Sequence, residues 1–111
     1  MKSSYFAKSA EHPNAVSIAC FKPHWFKGRS YSKLAPTFDI LERYKRTGNK
    51  RQYVLEYREQ VLSKLNPKEV FEELGDDAVL LCFEKPGNFC HRHLATDWLE
   101  DNLNILIEEI K

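Results

Sequence analysis

No apolar run in this 111-residue chain approaches the roughly 18 residues that cross a bilayer; the longest, AVLLCF, covers only residues 78–83. No membrane partner is therefore expected. The opening stretch MKSSYFAKSAEHPN carries charge but lacks the apolar segment of a signal peptide, so the expected compartment is the cytoplasm. Cysteine is sparse and odd in number, three residues in all, which suits reduced thiols better than a disulfide framework. Internal repeats, low-complexity tracts and linkers are missing too. The whole of residues 1–111 reads as one domain, large enough for a modest core. Acidic side chains are also missing from one stretch: none lies between Glu11 and Asp39. Residues 1–38 carry six Lys or Arg against one acid, whereas the remainder carries eleven against fifteen. A local excess of positive charge in a chain of net charge +1 points to an anionic ligand bound at one place.

What is present reads as alternating strands and helices. SSYFA and AVSIACF are short runs rich in aromatic and β-branched residues, as strands are. KPHWFKGRSYSKLAPT has Pro, Gly and Ser without periodicity and reads as a long loop, a feature more often functional than decorative. Three helices follow. TFDILERYKRTG sets Phe38, Leu41 and Tyr44 on one face before Gly48, and KRQYVLEYREQVLSKL repeats its apolar residues at spacings of three and four. NPKEVFEELG supplies Asn66 as N-cap, Pro67 in the first turn, Glu69 at N3 and Gly75 as terminator. AVLLCF is continuously apolar, like a central strand covered on both faces. CHRHLATDWLEDNL is amphipathic and NILIEEI reads as a last strand. The pattern predicts a small three-layer α/β fold: a mostly parallel central sheet flanked by helices, with right-handed crossovers.

In such folds ligands sit beyond the carboxyl ends of the strands. The loop EKPGNF leaves the central strand there and delivers Cys90 to the start of the next helix, where free N–H groups and the dipole favour an anion or a thiolate. At about 100° per residue, His91 falls on the apolar face with Leu94, Ala95 and Trp98 and points toward the sheet; His93 points away. Cys90, His91 and Glu84 are the catalytic candidates, with His91 or Glu84 as general acid or base. Arg92 is the candidate for a bidentate contact to phosphate or carboxylate. Cys82, inside the apolar run, reads as a core residue. Two sharper templates fail on spacing. The Cys, five residues, Arg of a phosphatase loop does not occur, since nine residues separate Cys82 from Arg92 and one separates Cys90 from it. Paired zinc ligands such as Cys-x2-Cys are equally missing, so neither a metal nor a cofactor is expected.

FKPHWFKGRSYSK interleaves rings with cations, the ingredients for stacking a base while neutralising phosphate. Trp25, Lys27, Arg29 and Tyr31 are therefore ligand-binding candidates. If this loop leaves the same sheet edge as the Cys90 loop, the two groups line one cleft.

The stretches YFAKS, VSIACFKPHWFKGRSYSKLAPT and LLCFEKPGNFCHRHLATDWL resemble domain-of-unknown-function family 488, DUF488, over nearly the whole chain. The resemblance implies a compact, cytosolic prokaryotic or phage α/β protein. It also implies that Glu84, Cys90, His91, Arg92, Trp25, Lys27, Arg29 and Tyr31 belong together. Three functions are open at this point. The leading expectation is a pocket for a phosphate-bearing ligand, either a nucleotide or a nucleic acid. The second is a small enzyme with Cys90 as thiolate nucleophile. The third is a module that binds a protein partner.

Overall fold

The computed structural model describes residues 1–111. The chain opens with β1 (Lys2–Tyr5), and then turns directly into a single helical turn, α1 (Phe6–Ser9). β2 (Ala15–Ser17) follows, every residue of it buried, and β3 (Arg29–Ser30) pairs beside it. Thr37 accepts the Ile40 N–H and starts α2 (Phe38–Thr47); Gly48, at φ 66°, adopts the left-handed cap that ends it. Asn49 caps α3 (Lys50–Gln60). Asn66 accepts from the N–H groups of Lys68 and Glu69, and Pro67 fills the first position of α4 (Pro67–Leu74), where its missing N–H costs nothing. β4 (Val79–Cys82), α5 (His91–Leu103) and β5 (Glu108–Glu109) complete the chain.

All five strands are parallel, in the order β3-β2-β4-β1-β5. β4 is central: Val79 lies opposite Lys2 of β1 on one side and opposite Ala15 of β2 on the other. Side chains alternate across the pleat, and this sorts the core into two unequal parts. Leu80 and Val16 face the larger one, which Ile40, Tyr57, Val70 and Leu99 close from helices α2 to α5. Val79, Leu81 and Ala15 face the smaller one, covered chiefly by Phe6 of α1 and by Phe26, with Ala10, Ala19 and Ile110 packed at its margin. The three-layer α/β architecture is as the sequence implies, with one thick layer and one thin.

The helix read over residues 50–65 ends at Gln60, and two further elements differ in kind from the sequence reading. The turn α1 lies within what reads as a strand, because Phe6 must swing over the thin face to pack on Phe26, ring centroids 5.2 Å apart. Inside the long loop, Arg29 and Ser30 form an edge strand against Val16 and Ser17. The loop therefore returns to the sheet rather than hanging beyond it. Gly28 permits that return: a Cβ there would run into the Phe26 ring and the Ala15 carbonyl oxygen.

Candidate functional site

A cavity of about 360 Å³ opens at the carboxyl ends of β2 and β4, between the segments Ala19–Phe21 and Cys82–Glu84 and the start of α5. Tyr44, Tyr53 and Phe89 form much of its apolar wall, and Lys45 is the one Lys or Arg that lines it. Neighbouring parallel strands without a short connection leave such a crevice by topology. Three polar side chains converge at its floor.

The arrangement follows from the turn into α5. Cys90 is the N-cap, and its Sγ accepts the Arg92 N–H at 3.4 Å. One residue on, His91 points into the protein and is only 4% exposed. Its Nε2 lies 2.6 Å from the Ile18 carbonyl oxygen, an obligate acceptor, so Nε2 carries the proton. The lone pair is then on Nδ1. That atom faces two thiols, Cys82 Sγ at 3.7 Å and Cys90 Sγ at 3.9 Å. Glu84 is exposed at the mouth, its Oε2 3.5 Å from Cys82 Sγ.

Electrostatics set the resting state. The Cys82 hydrogen bond and then burial push the Cys90 thiol well above its ordinary value, and His91 opposes them only in part. Cys90 thus rests as a thiol, not as the thiolate that a helix N-terminus alone would favour. Burial first, and then the neighbouring cysteines, also hold the Tyr53 phenol protonated. Cys20 is raised by burial, against the pull of Lys45.

Of the residues singled out in the sequence, Glu84, Cys90 and His91 meet in this cavity. Arg92 does not. It is fully buried and faces away, donating to the Glu84 carbonyl oxygen at 3.0 Å and to Glu109 Oε2 at 2.9 Å. Its guanidinium therefore anchors β5 and the loop after β4, and is not free for a phosphate. His93 joins the same carboxylate at 2.6 Å.

The expectation of one cleft is also corrected. Because β3 runs parallel to β2, Arg29 begins it at the amino edge of the sheet, opposite the cavity. There it donates to the Leu74 and Glu73 carbonyl oxygens, both at 2.9 Å. Tyr31 donates to Glu73 Oε1 at 2.6 Å. Trp25 is exposed and packs edge-on to Phe6 over the thin face, and Lys27 is exposed. None of these four residues lines the cavity.

Cys82 is buried, as its place in the apolar run implies, but it also joins the site. A continuous apolar run does not reveal which face each residue takes. Only the register shows that Cys82, last in its strand, alternates with Leu81 onto the His91 side. Spacing along the chain also does not show which ligand atoms meet in space: Cys82, Cys90 and His91 bring theirs within 4.8 Å of one another.

Fold and site together define a small parallel α/β protein with a thiol–imidazole cluster at the strand ends. The profile of the active DUF488-N3 subclade, DUF488-N3a, matches residues 7–103, and the chain belongs to that family. No curated protein and no solved structure matches it.

Proposed function

We propose that the cavity is an active site in which the Cys90 thiol attacks an electrophilic substrate while His91 Nδ1 takes its proton. The observation that carries this reading is the orientation of His91. With Nε2–H held by the Ile18 carbonyl, the ring offers a lone pair to sulfur and has no other tautomer open to it. The S–H bond breaks as the sulfur–substrate bond forms, and the proton passes to Nδ1, which can return it to the leaving group. The Arg92 N–H and the amino end of α5 favour the charge that develops on Cys90 Sγ. This makes Cys90, rather than Cys82, the attacking atom. A thiol activated in the act of attack replaces the standing thiolate.

The substrate this pocket suits is a small molecule with a planar or apolar part against Tyr44, Tyr53 and Phe89 and a single anionic group at Lys45. Mononucleotides fall in that class. A nucleic-acid strand is supported less, because Lys27, Arg29 and Tyr31 lie away from the cavity. The description of the family subclade as active agrees with an enzyme.

Peptide mapping after brief iodoacetamide treatment tests the pair. Cys90 is expected to react ahead of Cys82, and His91→Gln to slow it by about 100-fold, the low end of general-base effects. Reaction at Cys20 alone, or an unchanged rate in His91→Gln, removes the proposal.

A further inference from the structure

We propose that Cys82 Sγ, Cys90 Sγ and His91 Nδ1 form a binding site for a single soft or borderline divalent ion, zinc by its ligand chemistry, with a fourth position open to the cavity. This goes beyond the catalytic reading, since it requires no substrate. The two states exclude each other, because an ion would occupy the Nδ1 lone pair and the Cys90 sulfur that catalysis needs.

The geometry carries the inference. Tetrahedral zinc with Zn–S of about 2.3 Å and Zn–N of about 2.0 Å sets sulfur and nitrogen roughly 3.6 Å apart. The two sulfurs lie 3.7 and 3.9 Å from Nδ1, and all three atoms fall within 4.8 Å of one another. Thiol hydrogen bonds to imidazole have nearly the same span as ligands sharing an ion. An ion shared by both sulfurs would hold them about 3.8 Å apart, so the cluster takes up a metal by closing that pair by at most about 1 Å.

The surroundings fit as well. Metal-bound histidines hold their second nitrogen by a hydrogen bond, and here the Ile18 carbonyl does so. The Arg92 N–H touches one sulfur and fixes the Cys90 rotamer. All three ligand residues are 5% exposed or less, and the wall beyond them is largely apolar, so few waters compete. Two sulfurs and an imidazole select zinc or its neighbours over magnesium or calcium, which take oxygen. Three protein ligands with one open position are the donor count of reactive rather than structural zinc sites. Glu84 stands at that opening. The balance is simple: the two thiols lose their protons to solvent, the neutral imidazole loses none, and a dication meets two thiolates.

Cobalt(II) is the spectroscopic probe. Titration into the chelator-stripped 111-residue protein is expected to give a thiolate-to-cobalt charge-transfer band that saturates at a single ion per chain. Zinc should bleach that band, and about two protons should be released per ion bound. His91→Gln should weaken cobalt binding by more than about 100-fold, since even outer-shell changes cost 10- to 100-fold. Cys82→Ser should abolish the charge-transfer saturation, and Cys20→Ser should leave it intact.

A wild-type measurement keeps the test independent of mutant folding. Zinc should protect Cys82 and Cys90 from iodoacetamide, reversibly on adding chelator, while Cys20 stays reactive. Absence of the band, its survival in both His91→Gln and Cys82→Ser, or protection confined to Cys20 would overturn the proposal. Alkylation of Cys90 in the metal-free protein reads the catalytic proposal separately, so either can fail alone.

Discussion

At the scale of single residues, Arg92 shows how burial reassigns a charged group. On the sequence it stands beside Cys90 as a natural anion receptor; in the fold it has no exposed surface and is committed to Glu109 and to the Glu84 carbonyl. Its Nε has no partner at all, so the pair is held under incomplete compensation. Removing one member of a buried pair is far more costly than removing an exposed one, because the other is left without its counter-charge. Arg92→Met is expected to lower unfolding free energy by about 3–5 kcal/mol, measured by urea denaturation. A change comparable with that of an exposed pair such as Lys33–Glu73 would mean that Arg92 is not the anchor described. The same residue marks a boundary of what could be read in advance. Helical phase separates His91 from His93, but it does not reveal that Glu109, seventeen positions away, will claim the guanidinium.

Among elements, the helices were the most legible because their signals are local. Asn66, Pro67 and Glu69 each solve a problem of the first turn, so they announce α4 without help from the rest of the chain. Asn66→Ala removes the acceptor for two N–H groups and should cost about 1 kcal/mol, measured as a shift in the denaturation midpoint with unchanged slope. β3 was illegible for the opposite reason. Two residues carry no period, and their pairing exists only because β2 offers an edge and Gly28 lets the loop pass beneath Phe26. The candidate site divides along the same line. Glu84, Cys90 and His91 share one strand-to-helix junction and could be grouped from sequence. Cys82 required the strand register, and the walls from Tyr44 and Tyr53 required the packing of α2 and α3.

For the molecule as a whole, the edge strand β5 is held by its two-residue ladder and also by the contacts of Arg92 and His93 to Glu109. Burial raises the Glu109 carboxyl, but hydrogen bonds and charge from His93 and Arg92 outweigh it and leave the group below its ordinary value of 4.5. A carboxyl depressed in the folded state stabilises the fold above its unfolded pKa and loses that contribution as pH falls through the folded one. Acidification below about 4.5 should therefore loosen this edge. Thermal stability followed from pH 7 downward should fall more steeply in the wild type than in Glu109→Gln, which has no such proton to gain. Parallel curves would assign the acid sensitivity elsewhere.

The central position of β4 has a consequence for how the chain is made. β1 and β2 emerge early in synthesis, yet they never touch; each pairs with β4, which is translated only after α2, α3 and α4. Until Val79 to Cys82 leave the ribosome, the nascent chain can coil its helices but has only the two-residue pairing of β2 with β3, and nothing that joins β1 to it. Such distant pairings slow folding and leave strand edges open meanwhile. The segment that completes the sheet also delivers Cys82, so the thiol–imidazole cluster cannot exist before the fold does.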